Sequence, residues 1–191
     1  MLVDHNPTVP NRQDAILGAG EDPGPALAAM ARRLEAAGAD FLVIPCNTAY
    51  VFEQAIIDAV DIPLVSIIDV TIDAIPDDCN TVGLLATDGC LKAGVYQRGL
   101  EAAQLDALEP TRDEMHELMK AVHAIKAGRA DPATGTVLLS LAQALVERGA
   151  GAIIAGCTEI PLALEQSMLE VPLLSSTDIL AQRTVQLALS E

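Results

Sequence analysis

The sequence is poor in aromatic residues and in positive charge. Among its 191 residues are two Phe, two Tyr and no Trp. The apolar content is therefore Ala, Leu, Val and Ile, which is typical of helices packed on a parallel sheet. Eleven Lys and Arg are outnumbered by 27 Asp and Glu, giving a net charge of −16. This balance argues against a nucleic-acid partner, because phosphate binding needs clustered positive charge.

Long hydrophobic runs are also missing. No stretch approaches the roughly 18 uninterrupted apolar residues of a membrane span, and the first residues lack the pattern of a secretory signal. We therefore expect no membrane partner and a cytoplasmic location, where thiols stay reduced. The four cysteines, Cys46, Cys79, Cys90 and Cys157, are interpreted as thiols. No Cys-x-x-Cys spacing occurs, and we expect no metal site.

Short apolar runs alternate with longer Ala-rich amphipathic stretches. This order is typical of βαβ units and predicts an α/β fold with parallel sheets. The predicted strands are residues 41–44, 63–68, 81–86, 151–155 and 172–174. The predicted helices are residues 25–37, 49–60, 93–103, 112–126, 136–147 and 178–189. Gly38 and Gly149 lie where a left-handed residue would end a helix.

An internal repeat relates the two halves of the chain. Residues 34–46 match residues 145–157 without a gap, and Gly-Ala begins eight residues before the final cysteine in both copies. The match resumes downstream, where Ile-Pro-Leu-Val-Ser at 62–66 parallels Val-Pro-Leu-Leu-Ser at 171–175. The repeat predicts two pseudo-symmetric, Rossmann-like domains, each of which places a cysteine just after a strand.

The repeated cysteines, Cys46 and Cys157, are the candidate catalytic residues. Ligands of open α/β sheets bind at the carboxyl ends of the strands, so both thiols are expected to lie in one cleft between the domains. Two thiols on opposite sides of an α-carbon can remove a proton from one face and return one to the other. We expect helix N-termini to lower the pKa of both thiols. Asn47, Thr48 and Thr158 are predicted to hydrogen-bond a substrate carboxylate or ammonium.

Around these cysteines the chain resembles the aspartate/glutamate racemase superfamily. Pro-Cys-Asn-Thr-Ala at 45–49 and Gly-Cys-Thr-Glu-Ile-Pro at 156–161 look like its two cysteine motifs. Glu-Ile-Pro after Cys-Thr is similar to the aspartate racemase branch, whereas in glutamate racemases a His usually follows that Thr. Residues 4–12, 86–89 and 125–128 are also similar to aspartate racemase segments. The resemblance covers essentially the whole chain.

The resemblance implies an aspartate racemase that acts without pyridoxal phosphate, without any other cofactor and without metal. Cys46 and Cys157 would be the two acid/base thiols. Arg12 and Lys126 would bind the side-chain carboxylate of a dicarboxylic amino acid, and Thr87 would line the same pocket. The protein would be a homodimer.

The resemblance also implies domain boundaries. The first domain would comprise residues 1–63 and about 172–191, and the second residues 67–168. Family members begin with a strand and a Gly-rich loop that contacts the substrate, and the printed chain begins after that loop. The repeat likewise places the counterpart of strand 81–86 before residue 1. We therefore expect an uncovered sheet edge, with low stability or association through that edge, and little activity.

Alternative functions stay open. Glutamate, another amino acid or a hydantoin is an alternative substrate within the same superfamily. Arylmalonate decarboxylases use one thiol, so two intact cysteine motifs argue against that reaction. Hydantoin racemases and maleate isomerases also have two cysteines, but Arg12 and Lys126 together suit a second carboxylate better. Outside catalysis, the alternative is a truncated paralogue that only binds an acidic metabolite.

Overall fold

Residues 1–190 are described by a computed structural model. Their strands are β1 (Leu42–Val43), β2 (Leu64–Val65), β3 (Thr81–Ala86), β4 (Asp106–Leu108), β5 (Ala152–Gly156) and β6 (Leu173–Ser175). Their α-helices are α1 (Arg12–Ile16), α2 (Gly24–Ala36), α3 (Glu53–Ile57), α4 (Ile67–Ile72), α5 (Asp88–Ala93), α6 (Val95–Ala102), α7 (Arg112–Lys126), α8 (Pro132–Glu147) and α9 (Ser176–Leu189). The short 3-10 helices are Asn47–Phe52, Ile160–Leu162 and Gln166–Met168. This order of elements confirms the predicted α/β class.

The strands form two parallel sheets whose pairing follows the sequence repeat. β1 pairs with β2 in a two-stranded sheet, and the other four are ordered β4-β3-β5-β6. In the first sheet Leu42 lies opposite Leu64, and in the second Ile153 lies opposite Leu173. These four residues occupy equivalent places in the two copies of the repeat. The predicted pseudo-symmetry is therefore confirmed at the level of strand register.

The larger sheet is covered on both faces by helices. Along β5, Ala152 and Ile154 pack towards the core cluster that contains Tyr96. Ile153 and Ala155 point to the opposite face and pack in the core cluster that is lined by α7 and α8. Each large apolar side chain buried in this way contributes about 1.5–3 kcal/mol relative to an exposed one. This packing makes the carboxyl end of β5 a rigid support for the residues that follow it.

The two halves are joined by α4 and α9, the equivalent helices of the repeat, which pack against each other. Both begin with the same cap. The Ser66 hydroxyl accepts a hydrogen bond from the backbone N–H of Asp69, and the Ser175 hydroxyl accepts one from Asp178. Ser66 also corrects the predicted strand 63–68, which ends at Val65 because the serine starts a helix there.

Some observed helix boundaries differ from the predicted ones, in segments where the sequence gives weak signals for the start or end of a helix. The predicted helix 93–103 corresponds to α6, which begins only at Val95 because Gly94, with φ +68°, separates it from α5. The predicted helix 49–60 begins as the 3-10 helix Asn47–Phe52 and ends at Ile57. Gly38 and Gly149 do adopt the left-handed conformation, with φ of +89° and +107°.

β6 hydrogen-bonds to β5 and is the edge strand of the four-stranded sheet. The repeat accounts for this pairing, since β2 pairs with β1 in the same way. The division into a first domain of residues 1–63 and about 172–191 and a second of residues 67–168 stays a prediction. Residue 191 lies outside the described residues. No helix in the described part of the chain has the length and apolar character needed to cross a membrane.

Candidate functional site

A cavity of about 290 Å³ lies where the segments after β1 and β5 meet. All eight predicted site residues line it: Arg12, Cys46, Asn47, Thr48, Thr87, Lys126, Cys157 and Thr158. Asn11, Gln13, Pro45, Gly156 and Glu159 complete the lining. The cavity is thus built from both copies of the repeat, and it contains both repeated thiols.

Cys46 is presented by an extended backbone at the end of the first strand pair. Its φ and ψ are −158° and 107°, and its backbone N–H donates to the carbonyl of Ile44 at 2.8 Å. The 3-10 helix Asn47–Phe52 starts immediately after it. The side chain of Cys46 is partly exposed to the cavity.

Asn47 fixes the turn that carries Cys46. The Tyr96 hydroxyl donates to Asn47 Oδ1 at 2.6 Å, and Asn47 Nδ2 donates to Ser176 Oγ at 3.0 Å. Ser176 in turn donates to the carbonyl of Ala155 at 2.9 Å. Asn47 is 2% exposed, and Tyr96 and Ser176 are fully buried. This network uses the side-chain oxygen of Asn47 and one of its two amide N–H groups. The second amide N–H is left for the cavity.

Two threonine hydroxyls meet across the halves. Thr48 Oγ1 and Thr87 Oγ1 are 3.2 Å apart, and both residues are buried. Thr87 also caps α5, since its hydroxyl accepts a hydrogen bond from the backbone N–H of Cys90 at 3.4 Å. The pair gives the cavity two hydroxyls whose orientations depend on each other.

Cys157 follows β5 directly and has a carboxylate for a neighbour. Its Sγ–H donates to Glu159 Oε2 at 2.9 Å, and the Thr158 hydroxyl donates to the same oxygen at 3.1 Å. Lys126 Nζ lies 4.0 Å from Glu159 Oε1. The preceding residue must be glycine, because a Cβ on Gly156 would lie 2.9 Å from the Tyr96 ring.

The electrostatics at Cys157 correct the expectation of a lowered pKa. Burial raises the pKa of Cys157 above the ordinary thiol range, and the hydrogen bond to Glu159 and its negative charge raise it further. The Lys126 ammonium acts in the opposite direction. A helix does begin directly after Cys46, as the 3-10 helix Asn47–Phe52, whereas after Cys157 the next helix is the short 3-10 helix Ile160–Leu162.

The two predicted cations reach the cavity from different elements. Arg12 is the first residue of α1, and its Nη1 donates to the carbonyl of Pro10 at 2.9 Å. Gln13 Nε2 donates to Asp88 Oδ1 at 2.8 Å and so ties α1 to α5. Lys126 is the last residue of α7, and its side chain is 48% exposed.

Glu159 was missed as a site residue, although its position was informative. It lies two residues after Cys157 and was used only as a mark of the aspartate racemase branch. Tyr96 and Ser176 carry no sequence signal for a role near Cys46, because they are distant in the chain. All four cysteines carry free thiols. Within the residues that the structure covers, no three His, Cys, Asp or Glu side chains converge as a metal site would require.

Comparisons with known proteins agree with this geometry. The family model for Asp/Glu/hydantoin racemases matches residues 1–184. The broad-specificity amino-acid racemase RacX of Bacillus subtilis (strain 168) is 30% identical over 156 residues, which are 80% of this chain and 66% of that protein. This alignment thus covers just under two thirds of RacX.

Two further relatives show the same likeness. An uncharacterised protein of Pectobacterium carotovorum subsp. carotovorum is 39% identical over 127 residues, which are 64% of this chain and 83% of that protein. The aspartate racemase of Picrophilus torridus has the same fold, with a TM-score of 0.84 at 22% identity over 96% of this chain and 77% of that chain. The chain belongs to the Asp/Glu/hydantoin racemase family of isomerases.

Proposed function

We propose that the protein interconverts the L and D forms of an acidic amino acid, with aspartate as the preferred substrate. The observation that carries this proposal is that Cys46 and Cys157 line one cavity together with Arg12 and Lys126. The thiols supply a base and an acid, and the cations supply partners for a side-chain carboxylate.

The proposed reaction is a proton transfer at the α-carbon. One cysteine, as thiolate, takes the α-proton and becomes a thiol. The other cysteine, as thiol, gives its proton to the opposite face of the planar carbanion and becomes a thiolate. The atoms and charges balance without a further reagent, so we propose that no pyridoxal phosphate takes part. The hydroxyls of Thr48 and Thr87 and the second amide N–H of Asn47 are the proposed partners of the α-carboxylate. The Thr158 hydroxyl donates to Glu159, so its oxygen is the proposed acceptor for the substrate ammonium.

The charges of the cavity wall support a dicarboxylic substrate. Arg12 and Lys126 contribute two positive charges and Glu159 one negative charge. Aspartate and glutamate differ from neutral amino acids by a second carboxylate, and the two cations in the wall offset the charge that this carboxylate brings into the cavity. The name of the Picrophilus torridus relative, an aspartate racemase, points to the same substrate class.

A racemisation assay tests the proposal. The purified chain is incubated with L-aspartate, L-glutamate or L-alanine, and the D-enantiomer is measured by chiral chromatography with and without added pyridoxal phosphate. We expect D-aspartate to form fastest, with deuterium at the α-carbon when the solvent is D₂O, and no dependence on pyridoxal phosphate. Failure to racemise any of the three amino acids, or activity only with pyridoxal phosphate, would contradict it.

A broad-specificity racemase is the second candidate. Lys126 lies 4.0 Å from Glu159, so part of its charge is already offset within the protein. The relative RacX is described as acting with broad specificity. Under this alternative the cations contribute little to the choice of side chain, and aspartate and alanine react at similar rates.

Lys126→Met separates the two candidates. If Lys126 binds the side-chain carboxylate, losing that charge-assisted hydrogen bond costs roughly 1.5–3 kcal/mol, or about ten- to a hundred-fold in kcat/KM for aspartate. The value for alanine should not fall. Lys120→Met is the matched control, because Lys120 lies on the same helix and pairs with Glu117 away from the cavity. Equal losses on aspartate and alanine would favour the broad-specificity candidate.

Further features of the molecule stay proposals. We propose a homodimer, as the resemblance implies, and size-exclusion chromatography with light scattering measures it. We also propose that the protein acts in the cytoplasm, because the reaction needs both thiols reduced.

A further inference from the structure

Among the described residues that line the cavity, only Glu159 carries a carboxylate. The repeat shows how it comes to be there. Cys46 and Cys157 are equivalent, so Asn47 corresponds to Thr158, and Thr48 corresponds to Glu159. At one repeat position the first half therefore has a neutral hydroxyl, and the second half has an acid. The two thiols therefore occupy equivalent positions in the repeat, but only Cys157 is followed two residues later by a carboxylate.

The contacts of Glu159 concentrate on one thiol. Oε2 accepts hydrogen bonds from Cys157 Sγ at 2.9 Å and from the Thr158 hydroxyl at 3.1 Å. Oε1 lies 4.0 Å from the Lys126 ammonium. The Glu159 side chain is 19% exposed, so water screens these interactions only in part. A carboxylate held in this way stabilises the protonated form of the sulfur that donates to it.

We infer that Glu159 is a positioning residue that keeps Cys157 as a thiol in the free protein, so that for one of the two enantiomers Cys157 starts the reaction as proton donor and Cys46 starts as base. Glu159 accepts the hydrogen bond of the S–H group and aims it, without contact to the α-carbon. The roles in catalysis rest on the proposed function, but the protonation of Cys157 does not.

The charged and titratable groups that face Cys157 are few. Glu159 is adjacent, Lys126 lies at the end of α7, and Arg12 and Cys46 lie across the cavity. Burial, then the Glu159 hydrogen bond and charge, raise the pKa of Cys157, and Lys126 lowers it. The geometry and the electrostatics thus act in the same direction.

The proton inventory follows from this assignment. In the first half-reaction the Cα–H bond breaks and an S–H bond forms on Cys46. The Cys157 S–H bond then breaks as a new Cα–H bond forms on the other face. The products are the opposite enantiomer, a Cys46 thiol and a Cys157 thiolate beside Glu159. Repulsion between that thiolate and the carboxylate favours its reprotonation from solvent, which restores the starting state when Cys46 loses its proton.

Thiol alkylation tests the inference without substrate. In a Cys46→Ser background, the rate at which iodoacetamide alkylates Cys157 is followed from pH 6 to 11 by peptide mass spectrometry, which reads Cys157 separately from Cys79 and Cys90. The midpoint gives the apparent pKa, because the thiolate is the reactive form. We expect Glu159→Gln to lower this pKa by about one unit or more. Glu159→Asp, which keeps the charge, should leave it above the ordinary thiol value.

Two further variants make the outcome decisive. Glu165→Gln removes an equal charge from an exposed residue outside the cavity and should not move the pKa. Lys126→Met removes the cation beside Glu159 and should raise the pKa, so the inference can be tested even if Glu159→Gln fails to fold. An unchanged pKa in folded Glu159→Gln, or in Lys126→Met, overturns it. Because no turnover is measured, a protein that racemises nothing can still confirm or contradict this result.

Discussion

The two cysteine sites occupy equivalent places in the fold but have different surroundings. Cys46 is partly exposed and rests on a neutral, buried network of Asn47, Tyr96 and Ser176. Cys157 is 7% exposed and donates a hydrogen bond to Glu159. The repeat therefore fixes where the thiols lie, and the residues beside them give each thiol a different electrostatic setting.

The largest expected effect comes from removing either thiol. Cys46→Ser and Cys157→Ser should each lower the racemisation rate by about 10²–10⁴-fold, since each removes one member of the proposed acid/base pair. Cys79→Ser is the control, because Cys79 lies outside the cavity and donates to the backbone carbonyl of Thr81, as a serine can. Full activity in either of the first two variants would contradict the two-thiol mechanism.

The same variants compare the two thiols directly. Because the equilibrium constant between two enantiomers is 1, kcat/KM of a racemase must be equal in both directions. A difference between the two thiols is therefore expected in the rate at which each variant exchanges the α-proton with solvent. Cys157→Ser retains Cys46 and should exchange the α-proton of one enantiomer with D₂O, as followed by NMR. Cys46→Ser retains the thiol that Glu159 holds protonated, so its exchange should be slower near neutral pH. Equal exchange in both variants would show that the two sites do not differ in this way.

A smaller effect is expected from the network beneath Cys46. Tyr96→Phe leaves Asn47 Oδ1 buried without its donor, which costs about 1–3 kcal/mol of unfolding free energy. The turn that carries Cys46 should also loosen and lower kcat. Tyr50→Phe is the matched variant, since the Tyr50 hydroxyl donates to the carbonyl of Val65 at 2.8 Å rather than to Asn47. Urea unfolding measures both, and an equal loss of kcat in the two variants would contradict a specific role for the network.

The smallest effect concerns Cys90, whose thiol is buried without a carboxylate partner. Burial raises its pKa to about 12, with a smaller contribution from Cys46. Above the pKa of an unfolded thiol, the unfolded chain loses this proton while the folded chain keeps it. Stability is therefore complete at lower pH and falls as pH rises from about 9 towards 12, by at most about 1.4 kcal/mol per pH unit for this group.

Cys90→Ala should flatten that alkaline loss of stability. Urea unfolding between pH 8 and 10 measures the slope, and the difference between the two proteins removes the contribution of the tyrosines, whose unfolded pKa is about 10. The variant should be less stable at pH 7, because it leaves a cavity where the sulfur was. An unchanged slope would mean that Cys90 is solvated. Burial is the main cause of the raised pKa of Cys90, whereas Cys157 also has Glu159 beside it. The result for Cys90 therefore indicates how far burial alone raises the pKa of a thiol in this fold.

Much of the fold was predictable because its signals are local. β3 at Thr81–Ala86 and α7 at Arg112–Lys126 were predicted to the residue, since an apolar run and a capped amphipathic pattern define them. The capping box of Thr111 and Glu114 fixes the start of α7. Elements without such signals were missed. β4 has three residues, and α1 and α4 have five and six, so their stability depends on packing rather than on propensity.

The sequence by itself determined the α/β class, the repeat and the two thiols, because periodicity and matching segments are properties of neighbouring residues. It also supplied eight of the thirteen residues that line the cavity. Only the tertiary structure decided that β6 pairs with β5, that Tyr96 and Ser176 support Asn47, and that Cys157 donates to Glu159. The β5–β6 pairing and the Asn47 network join residues that are far apart in the chain. The raised pKa of Cys157 comes first from burial. Each therefore depends on how the halves pack.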